Sequence, residues 1–546
     1  MTTSLTVAAQ GGSSQTLTSP LAEFTRDAST PAWQPDSYRR MEPMVSRARD
    51  VFANTDRMRE RASKYLPQWP NEELQEYTQR VMGASPVGFF ARAVRAMVGM
   101  AFSREPELGE DVPPEIAKHW ENIDRKGTHG RVFAKRLLED GLITGMTAIL
   151  VDHPPRPGDG TTKPTLRDEN EMELRPYWCM YVAEDIVQVR YEVQADGKLT
   201  MSLAILHELG EEPDGLFGRK GEHRFKVYRR EVGPDGVAVV KHQLWRVVKA
   251  AKSKARIVPE VETTVEGVRR IPVALGLYGT VISDVETAPP LLDVVDKCIQ
   301  HWRNDCELQY VLDKAARPTL IIKGANREAK EGELVKVGPD VAVYVPKEGD
   351  VDWLEFTGQS AEKLRQQKQD IEKEIAALTM AFLQSDSRAA ETAEARRLDA
   401  NAQNATLATS VEAEEDQLEL ALSFHAEFMG RDSGGSIALN RDFENIMLTP
   451  EQVSEYRASV EAGHLTLETF LQILVKGRWL TPGFDIADEL SKLEEEKVDR
   501  MAEALAIASA SAAPAKDGEQ PPKGPGAGPT PGAGAGADGS LASDES

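Results

Sequence analysis

The segment from Ala288 to Gly324 constrains the chain most, because it reads as one long helix that stops at a proline and passes directly into an apolar strand. Pro289 and Pro290 suit a helix start, where a fixed φ is pre-organised and no N–H is missed. Leu291, Leu292, Val295, Ile299, Trp302, Leu308, Val311 and Leu312 then recur mostly at three- and four-residue steps, with Asp293, Asp296, Lys297, Arg303 and Asp305 between them. The pattern predicts an amphipathic helix of about 28 residues, roughly 42 Å long, and not a membrane span. Arg317-Pro318 ends it, since the residue before proline is pushed out of the α region, and Thr319 to Ile322 reads as a buried strand. A helix of that length belongs to a bundle, a coil or a ring.

At 546 residues the chain holds several domains. Its formal net charge of -23 argues against a protein that grips nucleic acid by neutralising phosphates, yet suits a surface that a duplex slides past. Cys179, Cys298 and Cys306 are too few for a disulfide framework, which points to a reducing, cytosolic setting. No run of about 18 apolar residues occurs, and the N-terminus lacks the basic and apolar parts of a signal peptide, so neither membrane insertion nor secretion is expected.

Both ends are polar or Ala/Gly/Pro-rich and are expected to be disordered. Tyr38 to Phe102 reads as helices interrupted at Tyr65-Leu66-Pro67, with Glu72–Met82 and Pro86–Phe102 following. A helix over Arg131–Leu142 ends near Gly145 and leads into a strand, Thr147–Val151. Between Pro176 and Val273, β-rich runs separated by Gly and Asp-Gly turns predict one small antiparallel module. Lying between Arg131–Leu142 and Pro289–Ala316, it suggests an antiparallel pair of helices carrying the module at its tip. Val341–Val345 and Val351–Phe356 read as further strands. Ser360 opens a helix lined by Leu364, Ile371, Ile375, Leu378 and Phe382, and Glu391–Met429 forms a third long one stopped by Gly430. A short strand, Ile437–Asn440, precedes three helices, the first with a capping box at Thr449-Pro450-Glu451-Gln452.

Catalytic signals are missing. No GxxxxGK[ST] phosphate loop, HExxH, zinc-spaced Cys/His set or GxSxG elbow occurs. Gly215 to Gly221 is the nearest glycine-rich segment and reads as a β-turn, while His153 and His207-Glu208 read as strand-end or turn residues. No catalytic residue, metal ligand or cofactor is expected.

Taken in order, several segments resemble the portal proteins of tailed bacteriophages, in a prophage-type subfamily long described only as a domain of unknown function. They are Tyr65-Leu66-Pro67 with Tyr77 and Arg80, Val98 to Pro106, the helix–Gly145–strand unit, Tyr181 to Ile186, Ile271-Pro272-Val273, Pro290 to Val294, His301-Trp302-Arg303, Glu391 to Arg396 and Leu439 to Phe443. The resemblance implies an α+β portal fold with a mixed α/β wing, a long-helix stem, a small β-rich clip and an all-α crown. Its expected divisions are a disordered arm (1–37), the first part of the wing (38–126), a first stem helix (127–146), the clip with flanking wing strands (147–284), a second stem helix (285–317) carrying Leu291, Val295, Ile299 and Trp302, wing strands with tunnel loop and tunnel helix (318–385), upper wing and crown (386–509), and a disordered tail (510–546).

By the same resemblance the chain forms a dodecameric ring at one capsid vertex, assembled in the host cytoplasm and retained in the virion. Double-stranded DNA passes through it non-specifically during packaging and ejection. Its implied partners are further copies of itself, capsid and scaffolding proteins, the terminase large subunit, and head-completion or tail adaptor proteins. Thr357, Gly358, Gln359, Ser360, Lys363 and Arg365 fall near the channel, although Lys363 and Arg365 equally fit the solvated face of a helix. A non-ring structural adaptor or head–tail connector is the alternative reading.

Overall fold

The glycine punctuation of the N-terminal half already sorts the chain into helices and sheets. The computed structural model describes residues 28–84, 86–154, 174–194, 197–248, 256–316, 319–323, 350–354, 358–379, 393–441, 443, 450–476, 479–480 and 484–511. Helices α1 (Asp36–Ala53), α2 (Thr55–Glu60), α3 (Ala62–Tyr65), α4 (Leu74–Gly83) and α5 (Phe89–Ala101) precede strand β1 (Glu107–Leu108) and α6 (Pro114–His119). Helix α7 (Gly130–Thr144) closes at Gly145, which takes φ of 83° and donates its N–H to Gly141 O at 2.7 Å.

Thirteen strands and three long helices follow among the described residues of the first unit. In order they are β2 (Met146–Asp152), β3 (Tyr177–Val182), β4 (Ile186–Val193), β5 (Leu199–Asp214), β6 (Gly218–Val232), β7 (Ala238–Val248), β8 (Arg256–Val265), β9 (Val273–Leu277), the hairpin β10 (Thr280–Ser283) with β11 (Glu286–Ala288), α8 (Leu292–Ala315), β12 (Thr319–Lys323), β13 (Asp350–Leu354), α9 (Gln359–Thr379), α10 (Ala393–Phe428) and β14 (Ile437–Ala438), which pairs with β1. The architecture is α+β.

The β-rich stretch is two sheets rather than the one module expected. β4 to β8 form a five-stranded antiparallel meander, whereas β3 and β9 flank β2 in a separate three-stranded sheet. Strand parity explains the split. On β2, Ile149 and Val151 join the helical core, while Met146, Ala148 and Leu150 face the core shared with Val189, Met201, Ala204, Leu206 and Tyr228 of the meander. A strand buried on both faces needs covering layers on both sides, so helices lie on one and the second sheet on the other.

The Gln417 amide of helix α10 bridges the β2 and β9 strands of this sheet. Gln417, buried, donates to Ala274 O at 2.9 Å and Thr147 O at 3.3 Å, and its Oε1 accepts from Tyr278 Oη at 2.7 Å and Thr147 Oγ1 at 3.1 Å. Gly276 makes the approach possible, since a Cβ there would sit 2.1 Å from Gln417 Oε1. On the other side of the unit Arg49 of α1 joins Asp140 of α7 at 2.5 Å and Glu184 at 2.7 Å.

Glu414 is the exception among the buried charges of α10. It is fully buried, neither carboxyl oxygen has a partner among the described residues, and burial pushes its pKa well above the usual carboxylate range. The folded carboxyl keeps its proton while the unfolded one ionises above its ordinary pKa. The stability present at low pH is therefore lost, at about 1.4 kcal/mol per pH unit, as pH rises from the unfolded pKa towards the folded one. Glu414→Gln is expected to flatten that loss. Denaturation midpoints of both proteins at pH 5.5 and pH 8 check it, and parallel losses would show that Glu414 is not the titrating group.

The second unit, Glu444–Ser546, contains α11 (Pro450–Glu461), α12 (Leu467–Lys476) and α13 (Ile486–Ser511), packed consecutively. Asp485 caps α13, accepting from Ala487 N at 3.0 Å and Asp488 N at 3.1 Å. The strand expected at Val341–Val345, the expected helix residue Phe382, the two chain ends (1–27 and 512–546) and the Thr449 capping position lie outside the described residues.

Candidate functional site

Helices α8 and α9 form an antiparallel hairpin whose register is written in polar pairs. Lys297 bonds Glu374, His301 Nε2 lies 3.0 Å from Glu372 Oε1, Asn304 donates to Gln367 Oε1 at 2.9 Å, and Lys368 donates to Asp305 Oδ1 at 2.6 Å. The same register continues into the strands, where Thr319 faces Leu354 and Lys323 faces Asp350. His301, Asn304 and Asp305 are buried, so a one-turn slip would strand them without partners. Ile371 and Ile375 of α9 supply the apolar part of the contact.

The far side of α8 is clamped to the N-terminal helices. Arg80 of α4 holds Glu72 in a two-pronged bond, 2.7 Å to each oxygen, and reaches Glu307 of α8 at 2.8 Å, while its guanidinium lies 4.1 Å from the centre of the Trp69 ring. The side chains of Arg80 and Glu72 are both 0% exposed. The guanidinium holds the Glu72 carboxyl below the usual carboxylate range. Arg47 of α1 pairs with Asp296 at 2.9 Å, and Phe89 of α5 meets the His301 ring edge-on at 5.5 Å.

Leu291, Val295, Ile299 and Trp302 come together as one buried stripe of the main core. The helix that bears them is 24 residues long, shorter than its apolar pattern suggested, because Glu286–Ala288 is a strand and the proline pair lies in the turn that follows. It is partnered by α9. The expected pairing of Arg131–Leu142 with this helix is not the one adopted: α7 packs on α1, α5, α10 and β2, with Phe133, Ala134, Leu137, Leu138 and Leu142 all buried there. Too many of its faces are apolar for it to stand in an exposed pair.

Gly358 takes φ of 71° and its carbonyl accepts from Glu362 N at 3.0 Å, so it starts α9. Gln359, Ser360, Lys363 and Arg365 are exposed, and Arg365 bonds Glu362 at 3.0 Å; Thr357 lies outside the described residues. Ala361 and Thr379 are buried on α9, whereas Leu378, expected on the apolar stripe, is 39% exposed. The polar residues that fix the hairpin were not among the expected site residues. Their signal was present in His301, Asn304 and Asp305, which fall between apolar positions instead of opposite them.

The other dense titratable cluster joins the two sheets. Lys226 lies 3.0 Å from Glu208 and 3.5 Å from Asp152, and Tyr181 donates to Glu208. Burial pushes the Cys179 thiol up to about 11, Cys298 to about 11 and Cys306 to about 12, so none is poised as a nucleophile at neutral pH. Among the described residues no group of three or more His, Cys, Asp or Glu side chains is placed to hold a metal, and no helix is long and apolar enough to cross a membrane. His207, expected at a strand end, is buried within β5 and lies 2.8 Å from Asp185 and 2.9 Å from His223.

A family model described as a domain of unknown function (DUF4055) matches residues 290–429, the span of α8, β12, β13, α9 and α10. No curated protein matches the chain. Among solved structures it is similar to a chain in the virion of a native gene transfer agent (GTA) particle, with 13% identity, 72% of this chain and 90% of that one covered, and a TM-score of 0.34. It is also similar to a chain in the neck of the empty GTA particle computed with C6 symmetry, with 12% identity, coverage of 74% and 93%, and a TM-score of 0.37. A chain in the neck of the native GTA particle computed with C12 symmetry gives 14% identity, coverage of 76% and 96%, and a TM-score of 0.37.

Proposed function

We propose that the chain is a structural, non-catalytic subunit of a phage-like particle, and within that class a portal: a ring with a central channel for double-stranded DNA. The observation that carries this reading is the α8–β12–β13–α9 hairpin, a single antiparallel register running from two packed helices into a two-stranded end. In it α8 and α9 are the stem and β12–β13 belongs to the clip, which moves the stem one helix later than α7. The sheets with α1 to α7 make the wing, and α11 to α13 the crown.

Chemistry then reduces to electrostatics. The exposed face of α9 alternates Lys363, Arg365 and Lys373 with Glu362, Asp370 and Glu374, and adds Gln359, Gln366 and Gln369. Mixed charge with amides gives a passing duplex weak, sequence-independent contact, and the overall charge of -23 opposes tight binding. Terminase, head-completion proteins and capsid are the partners of such a ring, docking at the clip and the wing rim.

Native mass spectrometry tests the assembly. A dominant ring species is expected, of about the twelve chains that the portal resemblance implies, since a head-to-tail interface that closes makes a ring. A single chain at all concentrations would favour the adaptor or connector reading, which needs no ring interface.

A further inference from the structure

Helix α6, strand β3 and the last turns of α10 meet at a chain of three aromatic rings. Trp178 Nε1 lies 3.2 Å from His425 Nδ1, and His425 Nε2 lies 2.9 Å from His119 Nδ1. An indole N–H can only donate, so His425 Nδ1 is the acceptor and its proton sits on Nε2. That proton is then donated to His119 Nδ1, leaving the His119 proton on Nε2. Both rings are neutral in this arrangement, and each has one fixed tautomer. A further proton on His425 Nδ1 would oppose the Trp178 N–H, and one on His119 Nδ1 would oppose the His425 N–H.

The surroundings give such a proton nowhere to be stabilised. His425 and Trp178 are buried, and Trp178 is walled by Trp120 at 6.0 Å and Phe133 at 5.7 Å. Arg175, before β3, raises the local potential at both imidazoles; His153, after β2, stacks on Phe428 and adds to it at His425. Glu115 of α6 is the acidic group that favours a charged His119, and it is engaged by Arg431 at 2.9 Å. Glu427, in the last turn of α10, bonds Arg269 N at 2.8 Å and Arg270 at 3.1 Å.

We propose that the Trp178–His425–His119 chain is an acid-sensitive latch that fastens α6 and β3 to the end of α10 and releases them when either imidazole takes a second proton. The direction follows from linkage. Burial and the neighbouring cations lower His425 to about 3 and lower His119 from its ordinary value. Stability contributed by the neutral rings is thus complete above the unfolded imidazole pKa and is lost as pH falls below it. The latch does not depend on the ring reading, because every contact lies within one chain.

Hydrogen–deuterium exchange, corrected for the intrinsic rate, tests it on the full chain. Peptides covering 114–119, 177–182 and 421–428 are expected to exchange about tenfold faster at pH 5.0 than at pH 7.5, with α8 and α9 unchanged. His119→Gln keeps an acceptor for the His425 N–H but removes one titrating ring, and is expected to make the acceleration below the unfolded imidazole pKa about half as steep with pH. No acceleration on acidification, equal acceleration in α8 and α9, or a pH dependence just as steep in His119→Gln would each overturn the proposal. The first two readouts use the unaltered protein, so they decide the matter even if the variant folds poorly.

Discussion

Arg80→Ala is expected to destabilise the first unit by about 3–5 kcal/mol, the range for removing one partner of a buried ion pair. Glu72, whose side chain is 0% exposed beside Arg80, would lose the guanidinium that compensates its charge, and Glu307 would lose its link to α4. The loss is not the worth of the pair itself, because most of it is the cost of an uncompensated charge. Arg80→Met with Glu72→Met should therefore cost much less than the two single changes added together. Arg80→Lys should fall nearer the alanine variant than the parent, since an ammonium cannot make the two-pronged bond or cover the Trp69 ring as a guanidinium does. Chemical denaturation of the parent, Arg80→Ala, Arg80→Lys, the two single methionine variants and their double checks the set. A cost below about 1 kcal/mol for Arg80→Ala would put water, not a desolvated carboxylate, around Glu72.

Trp302→Ala is expected to cost about 3–5 kcal/mol as well, by a different mechanism: loss of a large buried side chain plus the cavity it leaves. Trp302 is 0% exposed and sits in the core that joins α8 to the N-terminal helices. Its indole Nε1 has no hydrogen-bond partner among the described residues. Trp302→Phe gives up no hydrogen bond and removes an unsatisfied donor, so it should cost far less than the alanine change. Equal losses for the two variants, measured by thermal unfolding, would mean that the N–H does find a partner.

These two residues also mark what could be read from the sequence. The apolar stripe through Leu291, Val295, Ile299 and Trp302 has helical period, and period alone requires a buried helix there. Gly145 and Gly430 stop α7 and α10 where a left-handed residue is needed, and Gly197, Gly215 and Gly236 turn the meander. Which helix lies beside which is a different kind of fact. It depends on whether His301, Asn304 and Asp305 meet Glu372, Gln367 and Lys368, residues more than sixty positions away, and periodicity carries no information about partners. The division of the strands into two sheets was hidden for the same reason, since β2 and β9 are neighbours in space but not in sequence. Arg80 stood out with Tyr77 only through the family resemblance, and Glu72 only as the start of a predicted helix; their pairing and their link to Glu307 of α8 are long-range facts that periodicity does not carry.

Negative-stain electron microscopy of the purified protein measures the proposed ring directly. Class averages are expected to show rotational symmetry and a central hole wide enough for a B-form duplex. Small compact particles without a hole, at every protein and salt concentration tried, would contradict the portal reading and leave a structural subunit that acts without a channel.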